Sequence, residues 1–143
     1  MLQNYPQEIL DLLLKAIKGD RTAFHQLLST EECSELAAFC SVINGDYNAG
    51  MWLKARAGID WWVFVNAIND DETALKVLQH KDDKFDVCFV LACQDRIEGK
   101  YWLDKNGYAA LLPICKAIEE IGRNKKGLLR AIYKPNLNFY GGR

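Results

Sequence analysis

The sequence predicts an all-α fold, an α–α superhelix of about five helical hairpins and ten short helices. Three observations predict it. Segments recur at a spacing of about 25 residues: FCSVINGDYNAGMWL from residue 39, FVNAINDDETALKVL from 64, FVLACQDRIEGKYWL from 89 and ICKAIEEIGRNKKGL from 114. With one residue of slippage, LLKAIKGDRTAFHQL from residue 13 is a fifth copy. Aligned copies give apolar columns: Leu27, Leu53, Leu78, Leu103 and Leu128; Ile17, Ile43, Ile68, Cys93 and Ile118; Ala16, Val42, Ala67, Ala92 and Ala117. Each copy also splits at a polar break into two short amphipathic stretches. A hairpin of helices about ten residues long cannot close a core alone, so its apolar faces must be buried against neighbouring hairpins.

The breaks are Lys18-Gly19-Asp20, Asn44-Gly45-Asp46, Asn69-Asp70-Asp71, Gln94-Asp95-Arg96 and, less sharply, Glu119 to Gly122. Gly accepts the left-handed conformation that ends a helix, and Asp caps the next by accepting its free amide protons. The first pair is expected over 6–18 and 21–29, with Pro6 where a missing amide proton costs nothing. Ser29-Thr30-Glu31-Glu32 fits a capping box that opens a helix running to about 44. Its partner spans 47–56, and Gly58 ends it. Asp60 is expected to cap 61–69, which pairs with 71–79. The polar run 80–84 leads to the fourth pair, 85–94 and 96–103. A turn at Asp104-Lys105-Asn106-Gly107 precedes the fifth, 109–121 and 123–133. Pro113 is tolerable only near a helix start. WWVFV and DVCFVL look strand-like alone, but they keep the helical phase of LLK and ICK in other copies, and the repeat overrides local propensity. The expected organisation is one helical repeat domain over 1–134 and an irregular tail over 135–143.

Composition excludes several classes. Half of the 143 residues are apolar, about a quarter are charged, and the net charge is -1, so no global field draws the chain to nucleic acid or acidic substrates. The basic residues Arg123, Lys125, Lys126 and Arg130 fall in a stretch without Asp or Glu, which leaves a nucleic-acid contact as an alternative. The five cysteines form no CxxC pair, and four lie in apolar columns, as small buried hydrophobes of a reducing compartment do. His25 and His80 have no ligand-like spacing, so no metal or other cofactor is expected. The first residues lack a basic n-region and no apolar run is long enough to span a bilayer, so the expected location is cytoplasmic, without membrane association.

The copies resemble divergent ankyrin repeats. The likeness lies in an Ala-containing first helix, a G-D or N-D-D break and a second helix such as xxAxxxxLL; it is closest at LLLKAIKGDRTAFHQLL. The T-P-L-H start motif is absent, and the period is shorter than the usual one of about 33, which leaves no room for the projecting β-turn finger. The resemblance implies a protein-binding scaffold and no enzymatic activity.

No catalytic residue is expected. The pairs Asp70-Asp71 and Asp82-Asp83 sit where helices begin, and capping accounts for them. Cys33 is surrounded by Glu31, Glu32 and Glu35, which raise a thiol pKa. No GxSxG, HExxH, P-loop or GxGxxG occurs. Trp61 shares its column with Leu10, Leu36 and Leu111, so it belongs inside. Trp62 then faces elsewhere, with Val87, Leu91 and Leu112 forming an apolar island on an otherwise polar face. Asn66, Asn69 and Lys116 lie beside it, and together these residues are the expected partner-binding site. The competing reading is that the tail, with Phe139 and Tyr140, covers this face. The expected function is a protein–protein interaction module, in its specific form a bacterial toxin-neutralising (immunity) or adaptor protein. The alternatives are a nucleic-acid binder and an enzyme whose pocket the motifs do not reveal.

Overall fold

A computed structural model describes residues 1–132, with side chains to residue 124. Nine α-helices follow one another: α1 (Gln7–Ile17), α2 (Arg21–Ser29), α3 (Ser34–Ile43), α4 (Tyr47–Ala57), α5 (Ile59–Ile68), α6 (Glu72–His80), α7 (Lys84–Cys93), α8 (Ile97–Lys105) and α9 (Leu112–Ile132). Short 3-10 turns occupy Leu2–Asn4, Glu31–Cys33 and Ala109–Leu111, and no strand occurs among the described residues. WWVFV and DVCFVL lie within α5 and α7. The expected irregular tail, with Phe139 and Tyr140, lies outside the described residues, as do the side chains of Lys125, Lys126, Leu128 and Arg130.

The turns work as their chemistry predicts. Asp20, Asp46, Asp71 and Asp83 each accept a hydrogen bond from the backbone N–H three residues on, at 3.1–3.2 Å. The preceding position must be left-handed, and Gly19 and Gly45 supply it in the first two hairpins. Asp70, Asp82 and Asp95 adopt positive φ as well, a conformation that Asp tolerates better than most residues.

Three expected boundaries differ. The capping box at Ser29 does not form, because the hydroxyls of Ser29 and Thr30 donate back to the carbonyls of His25 and Gln26. A 3-10 turn intervenes, and α3 starts at Ser34. Asp60 does not cap α5; Gly58, at φ 105°, both ends α4 and precedes α5, while Asp60 is ion-paired with Lys81. Most consequential, the break expected near 122 is absent. Glu120 stands where Gly45, Asp70 and Asp95 adopt positive φ, and an Arg123–Glu119 pair one turn apart bridges the site, so α9 continues. The described residues therefore form nine α-helices where ten were expected of the chain, and Pro113 sits in the first turn of α9, where its missing N–H is harmless.

α1, α3, α5, α7 and α9 make an inner row in which each packs on the next, while α2, α4, α6 and α8 pack outside it. The row curves until α9 meets α1, so its ends touch. Leu13, Phe39, Phe64 and Phe89 are fully buried and Ile114 nearly so, one per inner helix at the repeat spacing. Phe39 stacks on Phe64 with centroids 6.2 Å apart, and Phe64 meets Phe89 at 5.5 Å. Leu27, Leu53, Leu78 and Leu103 anchor the outer helices to this core. Trp61 is buried as expected, edge-on to Phe39 and Phe64. Small residues set how closely layers approach: a Cβ on Gly99 would lie 2.4 Å from the Cys88 carbonyl oxygen.

Leu78→Ala should cost about 2–5 kcal/mol in chemical denaturation, whereas Gln79→Ala on the exposed side should stay within about 0.5 kcal/mol. Two glycines should respond with opposite signs. Gly99→Ala should be strongly destabilising, while Gly122→Ala, inside continuous α9 with open space around its Cβ, should gain roughly 0.5–1 kcal/mol. A loss at Gly122 would indicate a turn instead of a helix.

Candidate functional site

α3, α5 and α7 end side by side at Ile43, Ile68 and Cys93, and the chain turns outward after each. α9 does not turn. Its segment from Ile118 to Arg123 stands as a wall facing those ends, and an open cleft of about 720 Å³ lies between them. Val42, Ile43, Ile68, Cys93 and Ile118 make an apolar floor. Asp46, Asn66, Asn69, Asp70, Gln94, Glu119 and Arg123 supply the polar groups, and Tyr47 and Trp62 the aromatic ones. Tyr47 is 70% exposed.

Trp62 is half-buried because α4 has made room for it. A Cβ on Gly50 would come within 3.0 Å of the Trp62 ring. The repeat column of Gly50 otherwise holds Phe24, Leu75 and Lys100, so the large ring and the missing side chain compensate each other. The Lys54 ammonium lies 5.4 Å from the ring centroid and holds one face of the indole.

The cleft lining carries both signs of charge. The C-terminal ends of α3, α5 and α7 converge there, and carbonyls of their last turns accept from the turn amides that follow, Gly45 N–H to Val42, Asp70 N–H to Ala67 and Asp95 N–H to Ala92. Three carboxylates, Asp46, Asp70 and Glu119, line it against one guanidinium. That guanidinium is already engaged: Arg123 donates from Nε and Nη2 to Glu119 Oε2 at 2.9 and 2.7 Å. The pair raises the Arg123 pKa above its ordinary value. Gln94 Nε2 donates to Asp70 Oδ1 at 3.5 Å across the α5–α7 turns.

Of the residues expected to form the partner site, Trp62, Asn66 and Asn69 come together in this cleft. Val87, Leu91, Leu112 and Lys116 are not in its lining. Val87 and Leu112 are half-buried against the core, and Leu91 lies beside Gly99 of α8. Lys116 is exposed on α9. Tyr47, Asp46 and Asp70 were missed because they belong to turns and helix starts, whereas Gln94 shares the repeat column of Asn69 and was not named with the site. The one usable signal was Gly50, the small residue opposite Trp62. Exposed apolar side chains also mark the outer helices: Tyr47, Met51 and Trp52 on α4, Ile97 and Tyr101 on α8.

All five cysteines are buried free thiols. Burial pushes Cys40 up to about 11, against a smaller lowering by the Asn44 amide. Burial and then the Cys115 thiol push Cys93 well above its ordinary value, and burial followed by Glu32 and Glu35 raises Cys33. Among the described residues no three His, Cys, Asp or Glu side chains gather as metal ligands, and no helix is long and apolar enough to cross a membrane. Comparisons with protein-family models, curated proteins and solved structures return no match.

A second, polar pocket of about 380 Å³ lies at the start of α5 and α7, lined by Met1, Asp60, Lys81, Asp83 and Asp86. Asp86 is the one buried charged side chain among the described residues. Its burial, assisted by the negative charge of Asp83, pushes its carboxyl up to about 7; the N-terminal ammonium and Lys81 act in the opposite sense. A carboxyl raised above its ordinary 3.8 favours the folded state most when protonated. That contribution is complete below about pH 4 and is lost as pH rises through about 7. Asp86→Asn should therefore be more stable than the parent at pH 8 by about 1–3 kcal/mol and nearly equal to it at pH 4. Urea midpoints at the two pH values check this, and a pH-independent difference would mean that Asp86 ionises as an exposed carboxyl does.

Proposed function

We propose that the protein is a protein–protein interaction module: an ankyrin-like helical-hairpin scaffold, one domain over 1–134, that seats a partner at the cleft between α3, α5, α7 and α9. Fold alone does not fix function. The observation that carries the reading is a concave, apolar-floored site with directional polar groups and two accessible aromatic side chains, Trp62 and Tyr47, held on rigid helices. Interfaces draw most of their energy from a few such anchors surrounded by a polar rim. Asn66 and Asn69 provide amide donors and acceptors at the rim. Val87, Leu91, Leu112 and Lys116 would extend the contact along α7 and α9. A cytoplasmic adaptor or toxin-neutralising protein is the specific form this module would take.

Tyr47 offers the cleaner test, because it is far more exposed than Trp62. In a pulldown treated with nuclease and moderate salt, Tyr47→Ala should lose the partner while its melting temperature stays within about 3 °C of the parent. Trp62→Ala should lose the partner too and should also destabilise by about 1–2 kcal/mol, since it empties the space opposite Gly50. Undiminished capture by both variants would show that the partner does not use this cleft.

A further inference from the structure

We propose that Cys93 and Cys115 form an oxidation site at the floor of the cleft, where hydrogen peroxide joins them in a disulfide between α7 and α9. Both depart from the repeat columns. Cys93 stands where α1, α3, α5 and α9 carry isoleucine, and Cys115 stands where α5 and α7 carry valine. The two departures meet. Cys115 Sγ lies 4.0 Å from the carbonyl oxygen of Phe89, one helical turn before Cys93. The sulfur is therefore set against the turn of α7 that ends in Cys93. Cys115 is also the one ionisable side chain that acts on Cys93. α7 and α9 pack directly on each other, as a disulfide between them requires. Among the described residues the other cysteines have no such neighbour. Besides burial, Glu32 and Glu35 act on Cys33, Asn44 on Cys40 and Lys84 on Cys88.

Access is one-sided. Cys93 lines the cleft, whereas Cys115 is buried and absent from the lining. Hydrogen peroxide is little larger than water and enters an open cleft, so Cys93 is the sulfur it meets first. The Cys93 thiolate attacks one peroxide oxygen, the O–O bond breaks, and the departing hydroxide takes up the proton that Cys93 gave up. Cys93 is then a sulfenic acid. The Cys115 sulfur attacks the Cys93 sulfur, the S–O bond breaks, and water leaves with the Cys115 proton. Two thiols have lost two electrons and two protons, and one peroxide has become two waters. Ile118 follows Cys115 by three residues, so the new bond ties the α9 wall of the cleft to the end of α7.

The experiment treats the full-length reduced protein, without denaturant, with hydrogen peroxide at about pH 9, because the attack needs thiolate and burial keeps Cys93 protonated. The intact mass should fall by about two daltons, the loss of two hydrogens. Digestion in acid should yield the Cys93 peptide linked to the Cys115 peptide, and dithiothreitol should separate them. In Cys115→Ser the sulfenic acid has no thiol to condense with, so dimedone should label Cys93 about tenfold more than in the parent. Cys88→Ala should still form the disulfide. A bond through Cys33, Cys40 or Cys88 would overturn the assignment. So would sulfinic acid at Cys93 of the parent, or oxidation seen only after unfolding in urea. Should Cys115→Ser fail to fold, the peptide linkage in the parent decides alone.

Discussion

The structure depends on stacking along a single column of inner-helix residues. Leu13, Phe39, Phe64, Phe89 and Ile114 are spaced at the repeat period, and their burial brings five helices around a common centre. The three phenylalanines fill the middle of the row and make ring–ring contacts that fix the spacing of α3, α5 and α7. Smaller aliphatic side chains occupy the two helices that meet where the row closes. The alanines at 16, 67, 92 and 117 keep neighbouring backbones close enough for this packing. The outer helices then need only one fully buried leucine each to attach.

The cleft follows from a failure of the repeat. Four hairpins turn outward because a left-handed residue is followed by a polar helix start, three of them capped by Asp. In the fifth copy Glu120, a good helix former, stands where Gly45, Asp70 and Asp95 turn left-handed, and the Glu119–Arg123 pair carries the helix past the place where its predecessors turn. A wall is left standing over the helix ends beside it. The same missing left-handed residue thus accounts for both the helix count and the wall of the cleft.

Much of this was legible in the sequence. The repeat columns identified the helical class, the buried leucines and isoleucines and the burial of Trp61, because stacking forces each unit to meet the same environment. The ring closure was not legible, since local periodicity carries no information about accumulated curvature. The capping box at Ser29 and the cap at Asp60 failed for a different reason: Ser, Thr and Asp have several local partners, and sequence spacing does not decide among them. The cleft was half legible. Trp62, Asn66 and Asn69 lie on one helix face and were found together, whereas Tyr47, Asp46 and Asp70 are brought in by turns.

The meeting of α9 with α1 changes what the repeat can become over evolutionary time. An open stack can gain or lose a unit at little cost, since each unit touches only its neighbours. Here a duplication would have to open the seam and insert a helix between faces already matched, and a deletion would leave two ends unable to meet. Copy number is therefore locked, and diversification is confined to the turns and the outer helices. Those are the regions where Tyr47, Asp70 and the exposed residues of α4 and α8 reside.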